Sequence, residues 1–168
     1  MLETTRLWLV PLSLQLIEAR LRESASFAIE IDDNFTVLVE PPWPGDAIVF
    51  FEGLADRMRR NEEVEASFAM VEKSTFRMVG MLGCVDLPND EGVEIGYGIN
   101  PQSEGIGLTT EAVAALVGYL HSCGLHAVTA TTAPSNVASR RVLEKNSFHL
   151  DAAPGEAIEF IHWIHTNR

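Results

Sequence analysis

Cysteine is nearly absent from this chain: Cys84 and Cys123 stand alone, without C-x-x-C spacing. A disulfide scaffold is excluded, and both residues read as small packing side chains in a reducing compartment rather than as nucleophiles. Basic residues are also scarce, with 12 Lys and Arg against 24 Asp and Glu and a formal charge of −12. Nucleic acid is thereby excluded as a partner, because phosphate neutralisation needs clustered Lys and Arg. The same charge favours a cationic partner, and serves solubility equally well. No apolar run approaches the roughly 20 residues of a membrane span, and none follows a basic segment at the N-terminus. A soluble, cytoplasmic protein without a membrane partner is expected. His121, His126 and His149 lack metal-ligand spacing, and His162 and His165 project to opposite sides of a strand, so no metal site is expected. The chain also lacks a G-x-S-x-G elbow and a G-x-x-x-x-G-K phosphate loop, and no stretch completes G-x-G-x-x-G.

What is present fits one domain over residues 1–168, long enough to bury well over half of its unfolded surface. Leu7 to Val10 reads as a strand, and Ser13 as the N-cap of a helix from Leu14 to Leu21. The prolines at 41, 42 and 44 make Phe35 to Pro44 an irregular segment, and Asp46 to Arg60 the next helix. Ala66 to Glu72, Met78 to Val85 and Gly92 to Ile99 read as three strands. From Thr110 the period changes: Ala112, Val113, Leu116, Val117 and Leu120 form one helical stripe, with Gly124 at the C-terminal cap. Val128 to Thr132 is a strand, Ser135 to Asn146 a helix, and Ala157 to His165 a closing strand. Hairpins first and helix–strand alternation afterwards describe an α+β fold, a mixed sheet with helices on its faces.

The segment from Gly92 to Ala112 is strand, glycine-containing loop, then apolar helix. That order builds an anion site, since glycines let backbone N–H groups approach a phosphate and the helix N-terminus adds partial positive charge. A phosphate-bearing cofactor is the first expectation.

Two stretches together resemble the GNAT superfamily of acyl-CoA N-acyltransferases, and within it the ribosomal-protein N-terminal acetyltransferases. The first carries Glu94-Ile95-Gly96-Tyr97, Pro101, Gly105, Gly107 and Thr110-Glu111-Ala112; the second carries Asn136, Ser139, Leu143-Glu144-Lys145 and Phe148. The opening from Glu3 to Leu12 is similar to the first strand of that branch, so the likeness spans nearly the whole chain. It implies a GNAT-like fold, a central, mostly antiparallel twisted sheet flanked by helices. It further implies acetyl-CoA as co-substrate, its pyrophosphate at Gly105, Ile106, Gly107, Leu108, Thr109 and Thr110. The Asn136 amide would hold the pantetheine arm, Ser139 would lie near the thioester sulfur, and Arg141 would reach the adenosine phosphate. Aligned on Pro101 and Thr110-Glu111-Ala112, the loop departs from the family at Glu104, in place of Gln or Arg, and at Thr109, in place of a small residue. Ser147 takes the family's glycine position before Phe148.

Alternation places Glu94, Gly96 and Gly98 on one strand face, and Val93, Ile95, Tyr97 and Ile99 on the other. A carboxylate beside glycines has room for a substrate, which makes Glu94 the candidate general base for a primary amine that is almost wholly ammonium at neutral pH. The backbone N–H at Ile99 is the candidate group to polarise the thioester carbonyl, and Ser139 the candidate acid for the departing thiolate. The expected activity is N-acetyl transfer from acetyl-CoA to an amine acceptor, a protein N-terminus by resemblance, with polyamine, amino-acid and aminoglycoside-type amines left open. A homodimer is compatible with this reading. The competing reading is a non-catalytic module that binds CoA or a protein partner, supported by Glu104 and Thr109.

Overall fold

A computed structural model describes residues 1–33, 35–89, 92–150 and 160–166. In chain order the elements are β1 (Leu2–Glu3), β2 (Leu7–Pro11), α1 (Leu14–Arg22), β3 (Phe27–Asp32), β4 (Phe35–Val39), α2 (Phe51–Arg59), β5 (Ser67–Glu72), β6 (Arg77–Cys84) and β7 (Val93–Ile99). They continue with α3 (Leu108–Ser122), β8 (Ala127–Thr132), α4 (Val137–Lys145), β9 (His149–Leu150) and β10 (Ile161–Thr166). The sheet runs in the order β1-β2-β5-β6-β7-β8-β10-β9, with the β3–β4 hairpin attached to β6. Its pairs are antiparallel except for a one-bridge contact of β4 with β6 and the pairing of β7 with β8. The α+β expectation of a mostly antiparallel sheet flanked by helices therefore holds.

Each face of the sheet carries its own apolar cluster. One gathers Leu7, Leu9, Leu82, Val93 and Ile95 beneath α3 and α4; the other packs Val10, Ala69, Val71 and Met78 against α1 and α2. Alternation along each strand divides the side chains between them. The expected stripe of α3 is buried throughout, from Ala112 to Leu120. Burying a Val or Leu side chain contributes about 1.5–3 kcal/mol, which outweighs the helix-propensity cost of about 1 kcal/mol or less at Thr109, Thr110 or Gly118.

Four sequence expectations change. Residues 35–39 are not irregular: Val37 and Val39 are buried in β4, which pairs with β3. Proline restricts itself and the residue before it, so its influence begins at Glu40. The helix expected from Asp46 starts later, because Gly45–Phe50 forms a 3-10 turn with Val49 and Phe50 exposed. Ile48, Val49 and Phe50 thus form no buried helical stripe. Cys84 is buried, its thiol pushed up to about 11 by burial and then by Glu65, but Cys123 is exposed at the end of α3. The closing strand begins at Ile161, and residues 157–159 of its expected span lie outside the described residues.

Both α3 and α4 end in the same left-handed turn. After α3 the Leu125 N–H donates to the Leu120 carbonyl and the Gly124 N–H to the His121 carbonyl, with Gly124 at φ 93. After α4 the Phe148 N–H donates to the Leu143 carbonyl and the Ser147 N–H to the Glu144 carbonyl. Here the left-handed residue is Ser147, at φ 61. A Cβ is unfavourable in this conformation, so Ser147→Gly is expected to stabilise the fold by about 0.5–1 kcal/mol, read as a higher urea midpoint with unchanged m-value.

His121 and His165 join α3 to β10 through a 2.9 Å Nε2···Nδ1 hydrogen bond. Burial first, and then His121 and His149, hold the His165 imidazole below its ordinary value. The unfolded chain takes up that proton near pH 6.5, so the pair's stabilisation is complete above this value. It is lost as pH falls through the lowered folded value. The melting temperature is expected to drop between pH 7.5 and 5.5, and to drop less in His165→Gln.

Candidate functional site

The parallel pair β7–β8 is the origin of the site. Although β7 runs to Ile99 and β8 to Thr132, they pair only at Val93↔Val128 and Glu94↔Thr129. Their outer edges stay laddered, β7 to β6 as far as Ile99 and β8 to β10 from Ala127 to Thr132. Beyond Glu94 the inner edges therefore part. The Val85 N–H donates to the Glu94 carbonyl and the Asn100 N–H to the Val79 carbonyl. Antiparallel alternation between these bonds turns the backbone groups of Gly96 and Gly98 toward β6, and those of Tyr97 and Ile99 into the gap. Ile99, expected from the sequence, thus presents a free strand edge.

The loop after β7 and the loop after β8 meet at the C-terminal end of this pair, where open sheets with a reversal of strand order bind ligands. Pro101–Ser103 makes a short 3-10 turn, then Gly105 and Gly107 turn the chain at φ 76 and 84. Gly107 is the N-cap of α3 and supplies no side chain, so the N–H groups of Leu108, Thr109 and Thr110 are left as donors at the helix N-terminus. Glu104 is exposed beside this loop, and so is Ile106. Gly105, Ile106, Gly107, Leu108, Thr109 and Thr110 are therefore consecutive along one glycine turn and helix N-terminus, the kind of arrangement that suits an anion.

Arg6 holds that arrangement to the sheet. Its backbone N–H and Nε donate to the two carboxylate oxygens of Glu111, each at 2.7 Å, and its Nη1 donates to the Ile106 carbonyl at 2.8 Å. Burial pushes the Glu111 carboxyl up, but hydrogen bonds from the Thr4 hydroxyl and from Arg6, with the guanidinium charge, together hold it below its ordinary value. Sequence reasoning placed Glu111 in a motif without seeing that its partner is Arg6. The available signal was an arginine in the opening strand segment and a lone acid in the first turn of α3.

On the other side of the gap, Asn136 caps α4: its Oδ1 accepts the Ser139 N–H at 3.0 Å. The cap uses the oxygen and leaves the exposed amide NH2 as a donor. Ser139 Oγ lies 2.8 Å from the Tyr97 hydroxyl, which also donates to the Ser139 carbonyl at 3.2 Å. Burial pushes the Tyr97 phenol up, against the opposing hydrogen bond to Ser139. Tyr97 is the second residue that sequence reasoning missed; its place among apolar strand residues disguised a polar tip. Arg141 is exposed on α4, while Arg140 Nη1 donates to the Pro134 carbonyl.

Glu94 does not join this group. It lies half-buried on the opposite face of β7, beside Gly96 and Gly98, and a Cβ at Gly98 would meet nothing within 4 Å. The arrangement thus separates the glycine loop and a hydroxyl pair from a carboxylate across the edge of one strand.

The acetyltransferase (GNAT) domain model matches residues 6–149. Probable N-acetyltransferase YjcK of Bacillus subtilis (strain 168) is 33% identical over 97 residues, 56% of this chain and 52% of that protein. The match thus spans about half the length of this curated relative. Among solved structures, a GNAT-family acetyltransferase from Bacillus anthracis aligns over 98% of this chain and 97% of its own, with TM-score 0.68 and 19% identity. RimL, a ribosomal L7/L12 α-N-protein acetyltransferase in complex with coenzyme A, aligns over 97% of this chain and 95% of its own, with TM-score 0.66 and 15% identity. At these identities the two structures speak for the fold alone.

The Arg6 contacts predict a loosened loop on their removal. Arg6→Gln is expected to speed amide exchange from Ile106 to Thr110 by about fivefold or less, because the Arg6 side chain is 45% exposed and its ion pair is screened, while the α3 interior stays protected. Glu111 supports the loop fully above the ordinary carboxylate range near pH 4.3. That support is lost as pH falls through the lowered folded value, so exchange in the wild type should approach the variant's there.

Proposed function

Because the chain belongs to the GNAT acetyltransferase family, we propose that it moves the acetyl group of acetyl-CoA to a primary amine by direct attack. The observation that carries this is the parting of β7 and β8 beyond Glu94 and Thr129, with the glycine loop, the α3 N-terminus and Ser139 gathered at one end of the gap. These residues fit the proposed co-substrate. The amides from Gly105 to Thr110 would hold the pyrophosphate oxygens, the Asn136 NH2 a pantetheine carbonyl, and the exposed Arg141 the adenosine phosphate. RimL, whose fold this chain shares, is in complex with coenzyme A, which supports coenzyme A as the class of ligand. Two unpaired cysteines and the absence of a membrane-length apolar helix among the described residues are compatible with a cytoplasmic enzyme.

In the proposed mechanism the free N–H of Ile99, at the inner edge of β7, polarises the thioester carbonyl. Glu94 attracts the acceptor ammonium and receives its proton, directly or through a water, as nitrogen bonds to the acetyl carbon. As the C–S bond breaks, Ser139, held by Tyr97, gives its hydroxyl proton to the departing thiolate and is restored by the second proton leaving the attacking nitrogen, carried through water. The protein N-terminus is the favoured acceptor on energetic grounds. An α-amine with pKa about 7.7–8.0 is roughly a tenth or more neutral at pH 7, whereas a lysine-type amine near 10.4 is less than about a thousandth neutral. The non-catalytic alternative relied on Glu104 and Thr109; an exposed carboxylate at 104 is screened by water and salt, and Thr109 offers its backbone N–H at the α3 N-terminus whatever its side chain.

Thiol release from acetyl-CoA with a panel of amines tests the activity, and absence of CoA binding at millimolar concentration in calorimetry would remove its basis. Glu94→Gln is expected to lower kcat by about 10²–10⁴-fold with little change in CoA affinity; a rate equal to wild type across neutral pH assigns Glu94 no proton transfer. Glu104→Gln is expected to tighten CoA binding by about tenfold or less, the gain shrinking as salt rises.

A further inference from the structure

The face of the sheet that carries Glu94 continues beyond β7. Register places Thr129 of β8 beside Glu94 and Ile164 of β10 beside Thr129; one step along, Thr131 stands beside His162. Residues directly opposite in a sheet point to the same face. Val93, Val128, Ala130 and Trp163, which alternate with these positions, belong to the cluster beneath α3. Glu94, Thr129, Thr131, His162 and Ile164 therefore share the opposite face. There the apolar cluster beneath α1 and α2 draws its strand residues from β2 to β6 and includes none from β8 or β10. His162 is exposed, the other four are half-buried, and the Thr131 Oγ1 and His162 Nδ1 lie 3.5 Å apart.

This row combines one carboxylate at the gap with hydroxyl and imidazole groups set progressively farther from it. Two strand spacings of about 4.8 Å separate β7 from β10, or roughly 10 Å. A small amine held by Glu94 does not span that distance, and extended peptide does so with about three residues at ~3.3 Å each. Ammonium at Glu94, then a peptide N–H at the Thr129 oxygen, whose hydroxyl donates to the Val93 carbonyl at 3.4 Å, and a peptide carbonyl at the remaining donor of the Thr131–His162 pair, match the row in order.

We propose that Thr129, Thr131 and His162 form an extended acceptor subsite for the first three residues of a polypeptide N-terminus, with its amine at Glu94. The subsite rests on the acetyltransferase reading and names its acceptor more closely. Thr131 and His162 are positioning residues: they orient the peptide through its backbone and leave the chemistry to groups at the gap.

The test follows thiol release with acetyl-CoA for alanine amide and for di-, tri- and tetra-alanine amides, using wild type, Thr131→Val and His162→Ala. One or two ordinary hydrogen bonds correspond to about tenfold, so kcat/KM is expected to rise by about that factor up to the tripeptide and then level off. The rise should lie in KM. Both variants are expected to lower the tripeptide-to-amide ratio of kcat/KM by about threefold or more, a readout independent of the amount of folded enzyme. A wild-type series flat in length, with alanine amide turned over, overturns the subsite and leaves acetyl transfer standing. A rising series with the same ratio in both variants also overturns it. Absence of thiol release with every acceptor despite CoA binding overturns the transferase reading, and the subsite with it.

Discussion

The two-residue pairing of β7 with β8 is the constraint on which the rest of the molecule depends. A parallel pair left to itself would continue its ladder to the strand ends, because unpaired backbone groups are costly wherever water is excluded. Here both strands are secured on their outer sides, by β6 and by β10, so they part without losing their places in the sheet. The β7–α3–β8 crossover sets one loop and one helix N-terminus above the opening, and the turn from β8 into α4 sets the other. A gap lined by free strand-edge groups, with amide donors at its mouth, follows from connectivity before any side chain is considered.

Sheet alternation then divides the labour between two faces. Odd-numbered positions of β7 pack toward α3 and α4, which is why the Tyr97 hydroxyl reaches Ser139; even-numbered positions bear Glu94 and two glycines on the other face. A leaving group and an entering amine approach a thioester from different directions, and a single strand with period two supplies both without a bend. Arg6 completes the arrangement from a distance, since its contacts with Ile106 and Glu111 tie the mouth of the gap to the first segment of the sheet.

What was legible in the sequence was what is decided locally. Ser13 caps α1 within three residues, the α3 stripe repeats within one helix, and Asn136 and Ser139 share a face because they are three apart. Contacts that join distant segments were not legible. Tyr97 and Ser139 are 42 residues apart and Arg6 and Glu111 105, and no periodicity connects them. The β3–β4 hairpin was hidden for another reason: the prolines that follow β4 suggest disorder of structure further upstream than their steric effect extends. The gap between β7 and β8 is beyond any local pattern, because Gly92 to Ile99 reads as an ordinary strand whether or not its neighbour stays beside it.

Charge poses the remaining problem, since a chain with formal charge −12 is proposed to bind a polyphosphate. Distance and screening resolve it. At physiological ionic strength exposed charges act over about 8 Å, so most of the excess carboxylates contribute little at the gap. The amides from Gly105 to Thr110 and the α3 N-terminus, equivalent to about half a positive charge, act at contact and at fixed orientation. Water competes for them only until the ligand arrives. The same excess negative charge concentrates cations around the protein, and in the proposed mechanism an ammonium acceptor is a cation until Glu94 takes its proton. Local dipoles thus serve the anionic partner while net charge serves the cationic one, and the edge of β7 is where the two regimes meet.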